Sequence, residues 1–147
     1  MTTTITERKG GDVSRASDVA LDKTILKTVI QVANQAKRLC PVDLGQLRNS
    51  IMWKTQNREG GLNDSGGEAA ENEITDVPKK AEGYVGANLL HAIYQEFGTR
   101  NMPAQPYLRI AIDIVVNGAS YETAIKKVVI EEMKKEYSKG VRKIVIK

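Results

Sequence analysis

Few residues in this chain can do chemistry, and their spacing limits what they can do. There is one cysteine, Cys40, and one histidine, His91. A Cys–His pair makes a nucleophile only if the fold brings the two together, because the reactive thiolate needs a basic or cationic neighbour. Cys40 ends an apolar helical pattern just before Pro41, where a thiol reads as a small packed hydrophobe. His91, beside Ala92 and Ile93, reads as a structural or interface group. Glu96, Arg100 and Arg109 put a carboxylate near two guanidinium groups. Glu96 can face solvent, pair with Arg100 or Arg109 within the chain, or pair across a subunit boundary, where a ring would repeat the contact at every interface. Asp64, Glu68 and Glu71 crowd carboxylates into one segment, but their spacing does not match an EF-hand.

The catalytic templates are missing. The chain has no GxSxG elbow, no GxxxxGK(S/T) phosphate loop, no GxGxxG turn and no HExxH helix. We therefore expect no enzyme activity, no cofactor and no metal. A single cysteine excludes an intrachain disulfide framework. No apolar run approaches the roughly 20 residues that span a bilayer, and the first residues lack the apolar core of a secretion signal. These features predict a soluble protein of a reducing compartment with no membrane partner.

The formal charge of +4 conceals two opposed segments. Residues 57–76 hold Arg58 against six acidic groups, a net of −5, whereas residues 126–147 hold eight Lys or Arg against three Glu, a net of +5. The basic segment can meet phosphates with a steep salt dependence. One Phe and one Trp leave little for base stacking. A DNA-binding accessory protein that uses this basic region stays open as the alternative function.

The elements that must position these groups follow from patterning. Residues 1–16 are polar, contain Gly10-Gly11 and read as a flexible arm. A helix is expected from a Ser17-Asp18 cap to Cys40, with Leu21, Ile25, Val29, Val32, Ala36 and Leu39 as its buried stripe. Pro41 stops it. Pro41 to Gly45 suits a turn, and Leu47 to Gln56 a strand. Residues 57–72, rich in Gly, Asn and acidic groups, predict a projecting loop.

Short strands are expected at Glu73–Val77 and Gly83–Ala87, and a helix over Leu89–Phe97 with a left-handed cap at Gly98. A further helix near Pro106 would bury Tyr107, Leu108, Ala111, Ile112 and Val115. Another, capped by Ser120, would bury Ala124, Val128, Val129, Ile130 and Met133. The 138–147 segment suits a basic tail or an edge strand. The whole reads as one α+β domain over 17–137: a small antiparallel or mixed β-sheet packed against a long N-terminal helix and C-terminal helices, with one projecting loop between strands.

Two blocks carry a resemblance. Ala36 through Ile51, with Pro41, Asp43, Gly45 and Leu47 in register, resembles the Pro-x-Asp-Thr-Gly-x-Leu-Arg element of tailed-bacteriophage head–tail joining proteins. His91-Ala92-Ile93-Tyr94-Gln95-Glu96-Phe97-Gly98-Thr99, followed by Met102 through Ala111 with Pro106, is similar to that family's Tyr-Ala-x-Tyr-x-Glu-Phe-Gly-Thr signature and its continuation. Leu44, His91, Tyr107 and Ile110 depart from the usual residues.

The resemblance implies a virion structural protein of the neck: a head–tail connector, tail completion or tail terminator protein. Such proteins form homo-oligomeric rings, commonly hexamers, between a portal-side adaptor or stopper and the tail tube, with DNA passing through the lumen without sequence-specific binding. It also implies assembly in the host cytoplasm. Within the signature, Tyr94 and Phe97 lie three apart and are expected to anchor a short helix to the sheet. Gly98 would allow a sharp exit and Thr99 would satisfy carbonyls at the helix end. The 57–72 loop, with Asp64, Glu68 and Glu71, is expected to reach an adjacent ring or the channel.

Overall fold

The computed structural model describes residues 3–8, 13–41, 45–61, 76–118, 121–139 and 141–146. Asp43, Asp64, Glu68, Glu71 and Ser120 lie outside them, as do most of the 57–72 loop and of the segment expected as a strand over 73–77. The fold is α+β. In chain order the elements are β1 (Thr3–Arg8), α1 (Val13–Leu39), α2 (Gln46–Asn49), β2 (Ile51–Thr55), β3 (Glu59–Gly60), β4 (Gly83–Ala87), α3 (His91–Phe97), α4 (Leu108–Val116), α5 (Tyr121–Lys139) and β5 (Val141–Ile146). They divide into two compact units, Met1–Thr24 with Glu122–Lys147, and Ile25–Tyr121.

In the Ile25–Tyr121 unit, β2 lies between β3 and β4 in an antiparallel sheet. From residue 13 to 39, α1 has neither Gly nor Pro. Its buried face holds Val29, Val32, Ala33, Ala36 and Cys40, the i, i+3, i+4, i+7 pattern of a helix on a core. Leu39, expected on this stripe, is exposed, and so is Leu21 in the other unit. Small residues take the inward positions because the backbones approach closely. A Cβ added at Gly83 on β4 would collide with Val29 Cγ1 and come within 3.0 Å of Ile25 Cγ2. Leu47, Ile51, Ala92, Tyr107 and Ala111 complete the core, with Trp53, Val85, Ala87, Leu108 and Val115 packed around it.

The strand expected from Leu47 begins later. Gly45, at φ +77°, opens one helical turn, in which the Asn49 N–H donates to the Gly45 carbonyl and the Ser50 Oγ to the Leu47 carbonyl. That turn buries Leu47 before β2 starts at Ile51. Glu59 and Gly60, expected in the loop, pair with β2 instead. Val77 belongs to no strand. On α4, Ile112 is exposed, so the inward face is narrower than its apolar pattern suggests.

The other unit corrects two further expectations. Thr3–Arg8, expected within a flexible arm, forms β1 and pairs antiparallel with β5 along its whole length. The partner lies at the opposite end of the chain, beyond the reach of local periodicity. The α1 helix then starts at Val13, ahead of the Ser17-Asp18 cap. The C-terminal segment takes the strand form of its two alternatives.

On α5, the inward stripe is Ile125, Val128, Val129 and Glu132, not the set that included Ala124, Ile130 and Met133. A carboxylate tolerates this position because Lys23 Nζ lies 2.7 Å and Lys135 Nζ 3.2 Å from Glu132 Oε1. Those two hydrogen bonds hold the Glu132 carboxyl below its usual range.

The Gly83 contact is testable. Gly83→Ala forces two β-branched side chains on α1 to move and is expected to cost about 1–3 kcal/mol. The denaturation midpoint should fall with an unchanged m-value, and a wild-type midpoint would contradict the close approach.

Candidate functional site

The second signature block folds into one continuous element: α3, a tight exit at Gly98, an extended run to Pro106, and α4. Along α3 the inward residues are Ala92 and Glu96, one turn apart. The outward residues are Leu90, Ile93, Tyr94 and Phe97, at i, i+3, i+4 and i+7, and they are 51%, 51%, 48% and 65% exposed. The helix is therefore inverted, with its apolar stripe in water and its carboxylate in the protein. Tyr94 and Phe97 share a face as expected, but that face points away from the core, which corrects their assignment as anchors to the sheet.

Glu96 explains the inversion. Its Oε2 accepts from the backbone N–H groups of Tyr107 (2.8 Å) and Leu108 (3.0 Å), and its Oε1 from the Arg109 N–H (3.1 Å). These are donors that an α-helix leaves unsatisfied at its start, where the helix dipole also favours an anion. Arg109 completes the contact, donating from Nε to Glu96 Oε1 at 3.1 Å and from Nη2 to the Glu96 carbonyl at 2.9 Å. Its guanidinium lies 4.9 Å from the centre of the Phe97 ring, within cation–π range. Burial alone pushes the Glu96 carboxyl upward, but the four hydrogen bonds from Leu108, Tyr107 and Arg109 outweigh it and hold the group below the ordinary carboxylate range.

Of the readings open for Glu96, the intrachain pair with Arg109 is the one observed. Both carboxylate oxygens accept hydrogen bonds within the chain. Arg100 sits exposed in the turn and His91 is exposed at the first residue of α3. Thr99 closes that turn instead of capping α3: it exchanges backbone hydrogen bonds with Met102, and its Oγ1 accepts from the Asn101 N–H. Gly98 adopts φ +75° with ψ 175°, an extended mirror conformation and not the expected left-handed helical cap. A Cβ there would lie 2.7 Å from the Ala104 nitrogen and 2.9 Å from the Met102 oxygen. Glycine is thus required both by the dihedral and by the close passage of the returning chain.

The two signature blocks meet in the core, where Cys40 and Leu47 from the first share a cluster with Ala92, Tyr107 and Ala111 from the second. Pro41 is half-buried at the end of α1, and Pro106 half-buried just before α4. Burial pushes the Cys40 thiol upward, with Arg48 opposing, the reverse of an activated nucleophile. Among the described residues no group of three or more His, Cys, Asp or Glu is placed to hold a metal ion, and no helix is long and apolar enough to cross a membrane.

Sequence reasoning missed Leu90 and Ile93 as surface groups and Glu96 as a cap. Their spacing was visible, but an apolar stripe is ordinarily assigned to a core. The cap joins residues eleven or more apart, so no local motif announces it. A family model described as "Bacteriophage HK97-gp10, putative tail-component" matches residues 6–98. Among curated proteins and solved structures, none matches the chain.

The cap has a pH signature. A lowered folded-state pKa means that Glu96 stabilises the fold above the ordinary Glu value of about 4.3, and that this contribution disappears as pH falls through the lower folded value. Glu96→Gln is expected to cost about 1–3 kcal/mol at pH 7. Its deficit relative to wild type should shrink below about pH 4.3 in urea melts. Parallel stability curves down to the lowest pH would contradict the cap.

Proposed function

Because the chain belongs to the HK97-gp10-like family of bacteriophage tail components, we propose that it is a structural protein of the virion neck, a head–tail connector or tail completion protein that works as one subunit of a homo-oligomeric ring. The observation that carries this reading is the outward stripe of Leu90, Ile93, Tyr94 and Phe97 on a helix whose position is fixed by Glu96. Four large apolar residues on one face of a short helix leave apolar surface in water, the kind of patch that marks a protein–protein contact. They also lie on a rigid element, so little ordering entropy opposes their docking. Cyclic assembly uses two different faces of each subunit, and this stripe supplies one of them.

Function is then mechanical and stoichiometric, with specificity set by shape and apolar fit. The partners proposed are further copies of the chain, a portal-side adaptor or stopper, and the tail tube. The DNA-binding alternative gains little support from α5. Its Lys126 lies 3.6 Å from Glu122, and its Lys135 is engaged by Glu131 and Glu132.

Ile93→Glu combined with Tyr94→Glu changes only exposed positions and is expected to shift stability by about 0.5 kcal/mol or less per site. The same variant should fail to enter particles and fail to restore infectivity to a phage lacking the protein, whereas Lys134→Glu should behave as wild type. Normal particles carrying the double variant would sink the assignment of this face.

A further inference from the structure

The ribbon formed by the two ends of the chain is incomplete as a sheet. Its strands are β1 and β5 alone, so each has an outer edge with no strand partner among the described residues. Two strands by themselves are marginal in water, and an open edge presents a row of N–H and C=O groups ready to pair with another strand.

The register shows which strand fits. In the register of the ribbon, Thr3 stands opposite Ile146, Ile5 opposite Ile144 and Glu7 opposite Arg142. Apolar and opposite-charge cross-strand pairs are the stabilising kinds. β5 carries Arg142 and Lys143 without an acidic residue, whereas in β1 Glu7 balances Arg8. Pairing β5 with another β5 gathers four cations, and pairing β1 with β1 forgoes the Glu7–Arg142 match. A β1 edge against a β5 edge repeats the complementarity already present within the chain.

We infer that the terminal ribbon is an inter-subunit joint, in which the free β5 edge of one copy takes up β1 of the next. The inference rests on the ring reading above and adds the surface that closes it. The contact is heterologous, β1 to β5, and such contacts generate closed rings, whereas β1–β1 or β5–β5 contacts stop at a dimer. With strands running along the rotation axis, every copy keeps the same sense, so β1 of the neighbour meets β5 antiparallel, as β1 of the same chain does. The ring then carries a continuous sheet with no open edge.

The test uses two full-length single variants, Ile5→Cys and Ile144→Cys, with different affinity tags. They are mixed in equal amounts, concentrated and treated with a mild oxidant. The wild-type chain is the blank, because Cys40 is buried. Native mass spectrometry of the same samples reads ring formation independently. A disulfide linking the two differently tagged chains, well above the self-linked product of either alone, is expected. The directly opposite pair Thr4→Cys and Val145→Cys serves as a second set if either isoleucine variant loses its circular dichroism signal. Rings without the mixed disulfide overturn the joint and leave the ring reading intact. Self-linked Ile144→Cys dimers alone overturn it in favour of a two-fold contact. Neither rings nor mixed disulfide overturns both.

Discussion

A single buried carboxylate organises the signature region. Glu96 reaches from α3 to the first turn of α4 and takes up three backbone N–H groups and the Arg109 side chain at 2.8 to 3.1 Å. A charge can be buried at this site only because every acceptor direction is used, and removing the acceptor would strand several donors at once. The bond network fixes the angle between the two helices and the course of the chain through Gly98. Arg109 adds a bond to the α3 carbonyl end and lies over Phe97, so the outermost aromatic is oriented by the same contact.

That constraint explains why α3 shows its apolar side to water. A seven-residue helix has room for one inward stripe, and Ala92 and Glu96 fill it. The small side chain of Ala92 lets α3 approach the core cluster of α1, β2 and α4, while Glu96 ties it to the chain that follows. Leu90, Ile93, Tyr94 and Phe97 must then face outward. In an enzyme or a solitary binding domain such a stripe would be an aggregation hazard. In a member of a phage tail-component family, we propose that it is a docking surface.

Much of this was legible in the sequence because it depends on local chemistry. The 3.6-residue pattern of α1, its stop at Pro41 and the strand at Gly83–Ala87 follow from dihedral preference and burial within a few residues. Glu96 stood out from the residue pattern, and its pairing with Arg109 was among the alternatives. What stayed hidden depends on distance along the chain. Glu96 meets donors eleven to thirteen residues away, and β1 meets β5 across nearly the whole sequence. The stripes of α3 and α5 misled for a common reason. Apolar periodicity identifies a face but not what covers it, and on α5 the inward face includes Glu132, made tolerable by Lys23 from a distant segment.

The central claim is that the outward face of α3 is an assembly surface held in place from behind by Glu96. Cryo-electron microscopy of tailed particles that carry this protein tests it most directly, since location, symmetry and neighbours are read together. The expected map places the chain in a ring at the neck, with Leu90, Ile93, Tyr94 and Phe97 buried against an adjacent subunit and the Glu96–Arg109 contact intact. A chain located elsewhere in the particle, or a neck ring in which those four side chains remain in solvent, would contradict it.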